Sequence, residues 1–269
     1  SPETYYSTAA QLEANLNDEY PNVLPSFGQW TYGIFGEDKG TDNQIEVNAN
    51  DRYTQDRWKV PHSESDNWKF ERIYRINFFL SEALPKFGED MSGSQNTISG
   101  SVATIKHYIG EMYFLRAYEY FKKLQLFGDF PIINQPLADE MEALREASKR
   151  FPRNEVARFI ISDLDKAYAY MSDVDMATTR INKDVAMLVK SRVALFEATW
   201  LQNFKGTAFV PGGEGWPGAS LHNNYQYPSG NIDNEVKYFL EQAVEASKLV
   251  ADKYKGSLTE NTGVLQQSA

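Results

Sequence analysis

The stretch Glu111-Met-Tyr-Phe-Leu-Arg-Ala-Tyr-Glu-Tyr-Phe-Lys-Lys-Leu-Gln-Leu-Phe-Gly-Asp-Phe-Pro131 decides how the rest of the chain is read. Apolar and aromatic side chains occupy almost every face of it at helical spacing, and Gly128-Asp129 before Pro131 stops it. A helix apolar all the way round belongs in the middle of a helical domain. It nonetheless carries Glu111, Arg116 and Glu119, and any of these charges that does not reach water needs a partner.

Apolar spacing on either side predicts six helices. The first runs from Thr8 to Tyr20. A second, capped by Asp66 or Ser65, carries Trp68, Ile73, Ile76, Phe79, Leu80 and Ala83 and ends near Pro85. The third and longest spans Val102 to Phe127. A fourth runs from about Arg153 to Met171, with Val156, Ile160, Leu164 and Ala167 on one stripe. Asn182 caps the fifth, which holds Leu188, Val193, Phe196 and Trp200, and Asp233 caps the sixth. Segments 22–67, 134–149 and 204–232 resist this reading, although 137–150 has the makings of a short helix. No convincing strand pair appears. The expectation is an all-α fold of degenerate tetratricopeptide-like helical hairpins with long irregular loops at 22–67 and 204–232, a single helical domain over 1–269 and a weakly patterned tail at 255–269.

Composition narrows the chemistry. With 269 residues, 42% of them hydrophobic, the chain has ample material for a core. A net charge of −10 with no Lys/Arg block makes nucleic acid and anionic membrane surfaces poor partners. Cysteine is absent, and His62, His107 and His222 fall at no helical pairing distance, so thiolate chemistry is excluded and a His-based metal site is disfavoured. There is no run of 18 or more apolar residues and no N-terminal basic-then-apolar signal. Ser1-Pro-Glu-Thr reads as the start of a trimmed chain, with any targeting element upstream.

No catalytic motif stands out: G-x-S-x-G, H-E-x-x-H, the P-loop and G-x-G-x-x-G are all missing. The chain is expected not to be an enzyme and to need no cofactor, although among 37 Asp and Glu a glycosidase-like pair arises easily by accident. Arg75, Glu111, Arg116, Asp163 and Arg192 stand on otherwise apolar helix faces. They make either a charged ligand pocket or, the favoured reading, interhelical ion pairs that fix register, with Arg75 or Arg192 as partner for Glu111. The Pro211–Gly218 loop lacks the positive charge of a phosphate cradle. It either presents Trp216 or packs that ring down. In the polar loop 36–68, Asp42, Asn43, Tyr53, Arg57 and Trp58 mix rings with planar polar groups. That mix suits a sugar, whose C–H face lies on an aromatic ring while its hydroxyl pairs meet amides, carboxylates and guanidinium groups. A polar surface loop covering the core is the competing reading, and calcium a third, without EF-hand spacing.

Five elements in order resemble the SusD/RagB family, outer-membrane nutrient-binding lipoproteins of Bacteroidetes: Pro2-Glu-Thr-Tyr-Tyr with Leu16-Asn-Asp-Glu-Tyr20, Trp68 with Tyr74-Arg-Ile-Asn77, Glu111 to Pro131, Arg150 with Glu155-Val156, and Arg180-Ile-Asn-Lys183 with Arg192-Val-Ala-Leu195. Phe151-Pro152 depart from the Ser or Thr the family usually places there. Family members are about twice this long, so the chain resembles their N-terminal half. The resemblance implies binding of oligosaccharide or polysaccharide at the cell surface and delivery to a SusC-like TonB-dependent transporter. It also implies a lipid anchor upstream of residue 1 and ligand contacts from the loop before the second helix. Trp58 is the leading contact, with Tyr53, Arg57, Asp42 and Asn43 beside it and Trp216 as an outlying candidate. The rivals are a tetratricopeptide-like protein-interaction scaffold and a glycoside hydrolase.

Overall fold

The computed structural model describes residues 5–25, 43–44, 67–172, 176 and 179–257. Among them are seven α-helices: α1 (Ala9–Val23), α2 (Glu71–Phe87), α3 (Val102–Phe127), α4 (Met141–Ala147), α5 (Arg153–Tyr170), α6 (Lys183–Asn203) and α7 (Ile232–Tyr254). About 63% of the described residues are helical. The only β-type pairings among them are two isolated bridges, Thr8 with Ser99 and Phe130 with Phe151. The all-α expectation therefore holds.

Helix α3 is the central element. It packs against α1 and α2 on one side and α5 on the other, and α6 and α7 continue the row from α5. Its boundaries follow from its ends. The Ser101 hydroxyl accepts the Thr104 N–H at the start. At the stop, Gly128 takes φ +69°, which L side chains rarely adopt, while its N–H still bonds back to Leu124. Gly110 has a different role. A Cβ there would lie 2.8 Å from the Met171 nitrogen and 2.9 Å from the Ala167 carbonyl oxygen, so the missing side chain lets α5 end directly against α3.

Cross-helix pairs show that neighbours run antiparallel. The N-terminal Arg153 of α5 reaches Glu197 near the end of α6, and Lys190 of α6 reaches Asp165 of α5. Lys253 at the end of α7 meets Asp184 at the start of α6, and Lys205, just past α6, meets Asp233 at the start of α7. These are successive antiparallel hairpins.

Four helix pairs are also pinned by a carboxylate and a guanidinium. Arg116 (α3) forks onto Asp163 (α5), and Arg153 (α5) onto Glu197 (α6); all four side chains are buried. Arg158 (α5) holds Glu235 (α7) at 2.7 and 2.8 Å, and Arg75 (α2) holds Glu19 (α1) at 2.9 Å. Net stabilisation from such pairs is small because desolvation opposes the Coulomb attraction, whereas breaking one strands a buried charge. Their role here is to set register, as the sequence reading favoured. The expected partners of Glu111 need correction. Arg75 is taken by Asp18 and Glu19, and Arg192 lies exposed on α6. Glu111 instead receives both forks of Arg180, at 2.8 and 2.9 Å, and the Tyr20 hydroxyl. Beside it, His107 accepts the Ser172 N–H at Nδ1 (3.1 Å), so its hydrogen sits on Nε2, 3.0 Å from both Ile181 O and a Glu111 oxygen.

Three boundaries also differ from expectation. Helix α1 runs on through Pro21 to Val23. Helix α2 begins at Glu71, after Trp68, whose indole is held edge-on by Phe70, Phe127 and Phe130 outside the helix. The expected caps Ser65 and Asp66 lie outside the described residues. The cap of α7 is Asn231, whose side chain accepts the Asn234 N–H, while Asp233 takes the Lys205 ammonium. The segment at 137–150 does contain a short helix, α4, none of whose side chains is buried.

Candidate functional site

Where α3 stops, the chain turns at Asp129 and leaves a cleft of about 720 Å³. Its floor is the Phe127–Asp129 turn with Arg150 and Arg153. One wall is Trp200 of α6, and the other is the irregular segment that carries Phe209, Trp216 and Leu221. The size falls within the range of small-ligand sites, roughly 300–1,000 Å³.

Two tryptophans build the walls. Trp216 is only 5% exposed and donates Nε1–H to an Asp129 oxygen at 2.7 Å. The other Asp129 oxygen accepts the Arg153 backbone N–H at 2.9 Å. Burial pushes the Asp129 carboxyl above its ordinary value, and the Trp216 and Arg153 donors oppose that shift. His222 stacks on the Trp216 ring and donates Nε2–H to the Arg150 carbonyl at 2.8 Å, tying the short 3₁₀ turn at Pro217–Ser220 to the cleft floor. Trp200 lies 4.1 Å from the Arg153 guanidinium and donates Nε1–H to Phe209 O at 3.1 Å. That bond, with the edge-on contact of Phe204 and Phe209, leaves the Phe209 ring 61% exposed at the mouth.

The charged groups of the cleft differ in what they have left to offer. Arg153 closes its fork on Glu197, which is fully buried. The Arg150 guanidinium sits over the Trp68 ring, 4.6 Å from its centre, and donates no hydrogen bond among the described residues. The Gln125 amide, also exposed, is likewise uncommitted. Asp129 is the cleft's one accessible carboxylate, since Glu197 is enclosed behind Arg153. This geometry suits reversible binding: open donors, a single carboxylate and an apolar ring at the mouth.

Of the residues singled out in the sequence, Asp42, Tyr53, Arg57 and Trp58 lie outside the described residues. Asn43 is described and exposed. Trp216 reaches the cleft as a wall with its N–H engaged, so of the two readings open for it, packing down is the one observed. The sequence reading missed Gln125, Phe209 and Trp200 as cleft residues, and Arg150 entered it only through the family resemblance. Trp200 counted as part of a core stripe. Phe209 carried one usable signal, its place just before the Gly/Pro-rich turn. Among the described residues no helix is long and apolar enough to cross a membrane.

Residues 2–195 match the SusD-like family described as starch-binding and associating with the outer membrane. The chain belongs to the SusD-like family. It is 26% identical over 222 residues to SusD-like protein P2 of Formosa agariphila, an alignment that covers 78% of this chain and 40% of that protein. The chain thus spans about 40% of the length of the curated relative it matches. Among solved structures, it is similar to a SusD-like carbohydrate-binding protein of Bacteroides fragilis (18% identity, 75% of this chain and 40% of the other, TM-score 0.49). Another is a SusD-like carbohydrate-binding protein of Bacteroides vulgatus (14% identity, 92% and 45%, TM-score 0.48). The SusD-like match ends at residue 195, so Trp200, Phe209 and Trp216 lie beyond it, whereas the floor of the cleft lies within it.

Proposed function

We propose that this SusD-like chain captures an oligosaccharide at the outer-membrane surface and passes it to a TonB-dependent transporter, with no bond made or broken. The observation that carries this reading is the match of residues 2–195 to a starch-binding, outer-membrane-associating family. The cleft supports it, offering binding groups with a single accessible carboxylate where retaining and inverting hydrolysis both need a facing pair. In this reading a lipid anchor upstream of residue 1 holds the protein at the membrane. The 36–68 loop is the principal ligand surface, with Trp58 as the stacking ring and Tyr53, Arg57, Asp42 and Asn43 supplying polar contacts.

A glycan array followed by calorimetry tests it. Binding of oligosaccharides without release of new reducing ends is the expected result; released ends, or no saccharide bound at all, overturn it. Trp58→Ala should weaken binding by roughly 1–3 kcal/mol with the melting temperature unmoved. Unchanged affinity would remove the loop from the ligand surface.

One observation favours a second reading, a tetratricopeptide-like interaction scaffold. Leu188 and Leu195 of α6 are each half exposed along a groove that also includes Arg192 and Thr199. Co-purification of a peptide or protein partner that Leu188→Asp abolishes, with no saccharide bound, is what that reading requires.

A further inference from the structure

We infer that the cleft at the end of α3 binds an acidic saccharide, with the Arg150 guanidinium clamping the sugar's carboxylate. This deepens the proposed glycan binding and rests on it, but it places a contact outside the 36–68 loop. Three charged side chains line the cleft, and two are already committed. Arg153 is neutralised in a two-point pair with Glu197, and each Asp129 oxygen holds an N–H donor. Arg150 is different. Its guanidinium sits over the Trp68 ring, 4.6 Å from the ring centre, and none of its N–H groups has an acceptor among the described residues. Asp129 feels its charge but takes no hydrogen bond from it, and a guanidinium held over a ring with its donors open is the arrangement that accepts a carboxylate in two-point geometry.

The rest of the lining fits a sugar more closely than a bare anion. The uncommitted Gln125 amide both donates and accepts, and the Asp129 oxygens have lone pairs left for ring hydroxyls. Phe209 offers an exposed ring on which a C–H face can lie. A simple inorganic anion would use only the Gln125 N–H among these groups.

The test is calorimetric titration of the full chain with a galacturonic acid trisaccharide and with its neutral galactose counterpart. The acidic sugar should bind more tightly, and Arg150→Gln should weaken it roughly 10- to 100-fold while changing the neutral one little. Arg150→Lys keeps the charge but loses the fork and should recover only part of the difference. Because Arg150→Gln also unstacks Trp68, its melting temperature is measured alongside. Phe209→Ala, which removes a largely exposed ring and its edge contact with Phe204, should weaken the acidic sugar with less of that risk. In a Trp58→Ala background the Arg150-dependent part of the affinity should persist, separating this cleft from the loop. If both sugars bind alike and Arg150→Gln is silent, the inference falls and the proposed glycan binding stands. If neither these sugars nor any on the array binds, both fall.

Discussion

Arg116 of α3 and Asp163 of α5 meet in a two-point ion pair, Nε to Oδ2 at 2.6 Å and Nη2 to Oδ1 at 2.8 Å, with both side chains buried. The same guanidinium also donates to Asn77 of α2 (2.9 Å) and to the Asn134 carbonyl (3.1 Å). One cation thus joins three helices and the strap that follows α3. Arg116→Ala should cost about 3–5 kcal/mol in urea unfolding, since buried Asp163 loses its two-point partner and keeps only the half-exposed Lys166 at 4.0 Å. Arg116→Met with Asp163→Leu should recover much of that loss. An Arg116→Ala protein that melts normally but no longer binds saccharide would show that the pair belongs to a ligand site instead.

Gly110→Ala should destabilise despite the higher helix propensity of alanine. The gain in propensity is at most about 1 kcal/mol. The added carbon meets backbone atoms of α5 at under 3.0 Å, and forcing α3 and α5 apart costs about 1–3 kcal/mol. A melting temperature at or above that of the parent protein would show that the helices separate freely here.

Tyr20 links α1 to the start of α6, donating to Glu111 and accepting the Ile181 N–H at 3.1 Å. Burial first, and the Glu111 charge second, push its phenol far above the ordinary tyrosine range, so it remains a donor at any physiological pH. Tyr20→Phe deletes both bonds, strands the Ile181 N–H and should cost about 1–3 kcal/mol. Hydrogen exchange at Ile181 is the readout; protection equal to that of the parent would contradict the bond.

Acid should loosen the contact of α5 with α7. Burial raises the Glu235 carboxyl, but the Arg158 fork, Asn154 and Ser229 outweigh it and hold the group below its ordinary value. A carboxylate whose folded pKa is depressed adds stability that is fully present above its unfolded value, about 4.3, and is lost as pH falls through the folded one. Glu235→Gln should therefore flatten the acid limb of the melting curve below about pH 4.3. The same slope in parent and variant would assign acid sensitivity elsewhere.

Much of this fold was legible in the chain. The ends of α3 were clear because Ser101 and Gly128 are strong local signals that tertiary contacts do not override. The start of α2 was not, since Trp68 falls on the helical stripe yet is held outside the helix by three phenylalanines. Asn231 and Asp233 are both good caps; the extended backbone falls at Asn231, and Asp233, inside the first turn, meets Lys205 instead. The Glu111 partner was missed for a related reason: Arg180 lies in a connection without periodicity. The cleft was the least legible. Its groups come from α3, the Arg150 turn, α6 and the 208–221 segment, and nothing in their spacing announces that they meet.

His107 holds both ends of the α5–α6 connection, Ser172 at one ring nitrogen and Ile181 at the other. Whatever the chain does between those two residues, the imidazole fixes where it leaves and where it returns. The connection therefore behaves as a closed port. With both ends held, a longer connection should cost little, because each doubling of a chain segment's length adds only about 0.6 kcal/mol of closure entropy. A peptide tag or fluorescent label inserted there should be carried without disturbing the register of the flanking helices, whereas the same insertion in His107→Ala should not.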